Sequence, residues 1–210
     1  MSILLPHSAE TGWKALPEDV MKHSYPLTYA YLKQFEDLLL NRSGYQQLRR
    51  GAPFYILGNT NRWIYAPHKV VWRYIAREMT CSVVGTYGYT GQPLIPDHRL
   101  MLVACADEAE AHYVCAALNS SITRCIVNAY TIGTQISTHV LRNVSLRKYD
   151  ERDQHHTTLA ALSRKAHEVD KGNNAFEAIE RQIDEISAEM WGLVQEELEA
   201  MQESLEGLMG

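Results

Sequence analysis

Ile95-Pro-Asp-His-Arg-Leu-Met-Leu-Val103 is the stretch on which the reading of the fold turns. Pro96 holds Ile95 in an extended backbone. Asp97, His98 and Arg99 follow as three polar side chains, and Leu100 to Val103 then reads as a buried strand. Upstream lies a run rich in glycine and tyrosine, Gly85-Thr-Tyr-Gly-Tyr-Thr-Gly-Gln-Pro93. Two readings fit. A polar loop fed onto a rigid strand is a common way to present recognition groups. A plain hairpin loop with its charges in water is the other.

Working outward, Ala106 to Asn119 is a predicted helix, capped by Asp107 with Glu108 and Glu110 in its first turn. Tyr113, Val114, Ala117 and Leu118 form its core face. Cys125-Ile-Val127 and Val144 to Leu146 read as strands. On the other side, Lys69-Val-Val-Trp-Arg73, Cys81 to Val84 and Phe54-Tyr-Ile-Leu57 read as strands. A helix is predicted over Leu27 to Leu40, with Leu27, Tyr31, Phe35, Leu38 and Leu39 on one face. Strands and helices in this mixture predict an α/β domain.

From Thr157 the pattern is helical. After a break at Lys171-Gly-Asn-Asn174, one long helix is predicted from Ala175 to about Leu205. Its apolar residues are Phe176, Ile179, Ile183, Ile186 and Met190, a coiled-coil period. Near Gly192 the register slips to Val194, Leu198, Met201 and Leu205, as at a stutter. Such a helix is a rod of roughly 45 Å and calls for a partner helix. The expected organisation is therefore an irregular lead (1–26), an α/β target-recognition-like domain (27–155) and a helical assembly region of coiled-coil character (156–210).

The 210 residues are 46% apolar and 21% charged, enough for a real core. No run of 18 apolar residues suggests a membrane span. The start, Met-Ser-Ile-Leu-Leu-Pro-His, lacks the features of a signal peptide, so a cytoplasmic location is expected. Cys81, Cys105, Cys115 and Cys125 have spacings of 24, 10 and 10, which match no zinc pattern, and they read as buried thiols. The net charge of -5 is divided. Residues 169–210 carry 11 acids and two bases, whereas residues 1–168 carry a net +4. Nucleic acid suits the body and is repelled by the tail.

No phosphate loop, dinucleotide fingerprint or nucleophile elbow is present. His155 and His156, among Asp150, Glu151 and Asp153, read as exposed linker. Asp97 and His98, with His139, are the residues on which a small hydrolase-like enzyme would rest. No other residue suggests catalysis, cofactor binding or metal ligation. Groups suited to duplex DNA cluster in several loops. They are Arg49 and Arg50 beside Arg42; Asn61 and Arg62; Lys69 and Arg73; Tyr87, Tyr89 and Gln92; His98 and Arg99; and Gln135 and Thr138.

Several segments together resemble a known family. They are Tyr29-Ala-Tyr-Leu-Lys33 with Leu39-Leu-Asn-Arg42, Pro53-Phe-Tyr55, and Tyr65-Ala-Pro-His-Lys-Val-Val-Trp-Arg73. Ile95-Pro-Asp-His98, Glu110-Ala-His-Tyr-Val-Cys-Ala-Ala-Leu-Asn-Ser120 and Ile136-Ser-Thr-His-Val-Leu141 complete the set. Over roughly residues 26–168 the chain resembles the C-terminal target-recognition region of adenine-N6 DNA methyltransferases, including fused restriction–modification enzymes. It is similar to the specificity subunits of restriction systems. The resemblance implies a non-catalytic module that binds duplex DNA. S-adenosylmethionine and the Asn-Pro-Pro-Tyr motif would then lie on a partner catalytic subunit, since this sequence has neither motif. That subunit, or a second copy, would be held through the C-terminal helix. The resemblance also makes Lys69 a phosphate contact and Trp72 a core residue. The alternative is a structural or regulatory protein that assembles through its long helix.

Overall fold

A computed structural model describes residues 3–48, 51–88 and 91–209. The chain divides into two compact units, Met1–Ala66 and Pro67–Gly210. This division falls inside the span 27–155 that was expected to be one domain.

Among its described residues the first unit holds four short helices, α1 (Glu18–Ser24), α2 (Pro26–Lys33), α3 (Glu36–Leu40) and α4 (Ser43–Leu48), and a 3-10 turn over Arg62–Tyr65. Its core joins Ala15 and Met21 to Phe54, Tyr55 and Ile56. The helix expected over Leu27–Leu40 is interrupted at Gln34 and Phe35. Of the expected core face only Leu39 turns inward, for Leu27 is 86% exposed and Tyr31, Phe35 and Leu38 face out too. Tyr29, Leu32 and Leu40 join Leu39 on the core. Tyr29 meets Phe54 and Tyr55 edge to face, at 6.1 and 6.3 Å, and such aromatic pairs decide between two competing stripes. Phe54–Leu57 is not a strand. The Arg42 guanidinium donates to the carbonyls of Phe54 (3.0 Å) and Ile56 (2.9 Å), and His7 Nε2 accepts from the Leu57 N–H (3.0 Å). Side chains thus satisfy backbone groups that a neighbouring strand would otherwise take.

The second unit holds a three-stranded antiparallel sheet in the order β2-β1-β5, where β1 is His68–Arg73, β2 is Cys81–Val84 and β5 is Leu100–Cys105. A two-residue hairpin, β3 (Thr86–Tyr87) with β4 (Gln92–Pro93), lies between β2 and β5 in sequence. α5 (Glu108–Asn119) begins at Asp107, whose carboxylate accepts from Glu110 N–H at 2.8 Å, as its sequence predicts. α5 and α6 (Ser121–Tyr130) contribute Ala111, Cys115, Leu118 and Val127 to a core with Val70, Trp72, Met79 and Cys81. Cys125 to Val127 is thus helical, not a strand. Ser120 caps that helix, and the buried Asp184 carboxylate accepts from Ser121 N–H (2.7 Å) and Ser121 Oγ–H (2.6 Å). No strand forms at Val144–Leu146; a 3-10 turn over Val140–Asn143 precedes it.

α7 (Gln154–Ala166) packs on α5, burying Leu159, Ala160 and Leu162 against Tyr113 and Ala116. The long rod expected next is two helices, α8 (Asn174–Trp191) and α9 (Gln195–Met209). Gly192 sits at φ +71°, the left-handed conformation that ends helices. The chain folds back there, so that Ala188 meets Leu198 and Gln202 Nε2–H donates to Asp184 at 2.9 Å. Ile179 and Ile183 are buried against α7 and α5, Leu198 and Leu205 are buried, and Met201 packs beside Ile122. Phe176, Ile186 and Met190 are half-buried, and only Val194 of the predicted stripe is exposed. The stripe is therefore used largely within the chain. Among the described residues, no helix is long and apolar enough to cross a membrane.

The outer edge of β2 is closed by side chains. Asn119 accepts from Cys81 N–H (2.8 Å) and donates to Cys81 O (3.0 Å). His167 Nε2 accepts from Val83 N–H (2.9 Å).

Candidate nucleic-acid interface

The register of β1 on β5 places Arg73 opposite Leu100, so the end of β1 meets the turn that leads into β5. Two residues that lie 26 positions apart, Arg73 and Arg99, are thereby brought to one end of the sheet. The pairing runs on beyond the strands. Tyr74 N–H donates to Arg99 O (2.8 Å), Ile136 N–H to Tyr74 O (2.7 Å) and Ala76 N–H to Thr134 O (3.0 Å). Ile75 is bridged to Gln135, and Tyr74 Oη–H donates to Gln135 Oε1 at 2.9 Å. Below this layer, Trp72 is fully in the core and its Nε1–H donates to Ile136 O at 2.9 Å. Three loop segments are thus knitted into one rim on a rigid base, the arrangement that lets loops recognise a partner reproducibly.

Asp97 organises its own turn. Its carboxylate accepts from Arg99 N–H (3.0 Å), its carbonyl accepts from Leu100 N–H (2.9 Å), and its second oxygen lies 3.3 Å from His98 Nδ1. The Arg99 N–H holds the Asp97 carboxyl below its ordinary range, with the His98 and Arg99 charges adding to this. Asp97 and His98 are well exposed, at 62% each, a poor setting for a tuned acid–base pair. His139 is exposed as well.

Arg73, Arg77, Arg99, Gln135 and Thr138 are all exposed. Segments 86–92 and 134–139 contain no Lys, Arg, Asp or Glu, so the positive charge of the rim comes from its three arginines. Asp97 is the one carboxylate within 73–77, 97–99 and 130–138.

Other predicted contacts fall elsewhere. Lys69 is fully buried near the start of β1, where burial lowers its pKa, and it has no surface to offer a phosphate. This corrects its expected role. Asn61 and Arg62 belong to the first unit. The Asn61 side-chain Oδ1 caps the 3-10 turn by accepting from Trp63 N–H at 2.8 Å, and Arg62 lies over the Trp63 ring at 4.3 Å. Gln92 is exposed on β4. Tyr87 pairs with Gln92 by its backbone, but its side chain, and all of Arg49, Arg50 and Tyr89, lie outside the described residues. Sequence reasoning missed Tyr74, Ile75, Tyr130 and Ile132. The only signal for them was apolar residues in polar loops without a periodic partner.

A concavity of about 660 Å³ lies between β2, α5, α7 and α8. Arg124 and Glu78 form an ion pair in its wall, and burial raises the Glu180 carboxyl. Three cysteine thiols, Cys81, Cys105 and Cys115, are buried. Burial pushes Cys105 up to about 12 and Cys115 to about 11, which keeps them protonated. Among the described residues, no group of three or more His, Cys, Asp or Glu is placed to hold a metal ion.

No family model matches the chain, and a search of curated proteins finds no match either.

Proposed function

We propose that this chain is a DNA target-recognition module of an adenine-N6 DNA methyltransferase or restriction–modification assembly. It works without a catalytic domain of its own, and S-adenosylmethionine is bound by a partner catalytic subunit. The observation that supports this best is the rim at the end of the β1–β5 pair. There Arg73 and Arg99 come to one end of the sheet, and Gln135 is bridged to Ile75 on a backbone pinned by Trp72. Arginine and glutamine are the side chains suited to phosphates and base edges, and a fixed frame gives them register. The sequence resemblance to target-recognition regions points the same way. The 11 acids of residues 169–210 repel phosphate and suit contact with the catalytic subunit rather than with DNA.

Fluorescence anisotropy with duplex DNA tests the reading, using the chain together with its co-purifying methyltransferase subunit. Affinity should fall steeply with salt. Arg73→Ala and Arg99→Ala should each weaken binding by about tenfold and reduce the salt slope by about one. An assembly that binds no duplex at low salt would refute the proposal.

A further inference from the structure

The two outer edges of the sheet differ. That of β2 is closed by Asn119 and His167. β5 has a strand on one side alone, and among the described residues no backbone hydrogen bond reaches its other side between Met101 and Cys105. The register shows which groups are left open. Tyr74 N–H donates to Arg99 O, which makes these two a hydrogen-bonded pair. Hydrogen-bonded and non-hydrogen-bonded pairs alternate along an antiparallel ladder. Met101 and Val103, opposite Trp72 and Val70, therefore turn their N–H and C=O towards β1, and Leu102 and Ala104 turn theirs away. The N–H groups at the two ends of this edge are occupied. Leu100 N–H donates to Asp97 O at 2.9 Å, and Ala106 N–H donates to the Glu110 carboxylate. Between them, Leu102 and Ala104 each keep an open N–H and C=O. Leu100 to Ala104 are half-buried, so the edge keeps accessible surface. Leu100-Met-Leu-Val-Ala-Cys105 holds no charge and no proline, the devices that ordinarily keep an edge strand from pairing.

We propose that two copies of this chain pair β5 to β5, antiparallel, about a two-fold axis at Val103, and so join their sheets into one. The open groups fix this register. With the axis at Val103, Leu102 comes opposite Ala104 of the second copy, and Ala104 opposite Leu102 of the second copy. Every open group on Leu102 and Ala104 is then paired in both copies. An axis at Leu102 or at Ala104 would instead set an open carbonyl against the occupied N–H of Leu100 or of Ala106. Val103 faces Val103 of the second copy in the close, non-hydrogen-bonded position, where β-branched pairs add to sheet stability. Val103 already packs on the core shared by β1 and α5, so the apolar layer continues across the junction. Because the β2 edge is closed, the pairing ends at two copies. The proposal does not depend on the DNA-recognition reading.

Sedimentation velocity of the full chain over a concentration series tests it, and a monomer–dimer equilibrium is expected. Ala104→Pro removes an N–H that β1 does not use. It should weaken dimerisation by at least about tenfold and leave the circular dichroism spectrum unchanged. Ala104→Lys, a charge on the edge, should act in the same direction. Val103→Cys keeps the proposal testable should both variants lose their fold. Two thiols facing each other across the axis lie within the span of a disulfide, so mild oxidation should link the copies. Leu102→Cys should link far more slowly, and the parent chain, treated alike, gives the background. A chain that stays monomeric throughout the series overturns the proposal. So does a dimer that keeps its affinity in a folded Ala104 variant, a Val103→Cys chain that links no faster than the parent, or growth past two copies.

Discussion

Asp184 shows how one buried carboxylate fixes three helices. It accepts from the Ser121 backbone and hydroxyl at the start of α6 and from Gln202 on α9, while its own backbone lies in α8. Asp184→Ala leaves those donors buried without a partner, and urea unfolding should show a loss of about 3 kcal/mol. His112 makes a second residue-scale prediction. Burial is the main cause that lowers its pKa to about 4, with the His167 and Arg164 charges adding to it. The folded value lies below the ordinary value of about 6.5, so folding favours the neutral ring. Its contribution is therefore full above about pH 6.5 and is lost as the pH falls towards 4, by about 3 kcal/mol in total. Urea midpoints across that window should fall less steeply in His112→Phe than in the parent protein. Lys69 belongs at this scale too. Because it is buried, Lys69→Met should leave the salt slope of DNA binding unchanged, which separates it from Arg73 and Arg99.

At the scale of elements, Gly192 decides whether the C-terminal segment is one rod or a folded pair. Gly192→Ala places a Cβ at φ +71° and should cost about 1 kcal/mol by urea unfolding. In the sequence this glycine was visible but read as a slip in a coiled-coil register. The 3-4 spacing of Phe176 to Met190 is common to coiled coils and to helices packed within one chain, so it cannot tell the two apart. β1, β5 and α5 were legible because short apolar runs and the Asp107 cap are local signals. α6 was misread because Cys125-Ile-Val127 has strand propensity, while the Ser120 cap and the long-range bond from Asp184 overrule it. In the first unit the inward stripe of α2 and α3 was chosen by aromatic partners at Phe54 and Tyr55, more than ten residues away in the chain. Arg73 and Arg99 were nameable from sequence as candidates. Their adjacency was not, because it depends on the β1–β5 register. Ile132 carried only the weak signal of an apolar residue in a polar loop, and its exposure is a property of the folded chain.

For the whole molecule, the charge division matters most. The mildly basic body and the acidic C-terminal segment have opposite effects on phosphate, so removal of residues 195–210 would raise non-specific affinity but expose the α6 face that α9 covers. A milder change avoids that exposure. Glu199→Gln with Glu203→Gln should tighten low-salt duplex binding by the isolated chain about twofold and leave its melting temperature unchanged, as read by anisotropy and circular dichroism. Sheet size raises a separate issue. Three strands leave flanks with backbone groups that another chain can pair with. Asn119 and His167 occupy the β2 flank as a neighbouring strand would. They act as a terminator that stops the sheet from being copied onto a second molecule at that flank. Asn119→Ala together with His167→Ala should therefore lower the concentration at which the chain self-associates strand by strand, as read by light scattering.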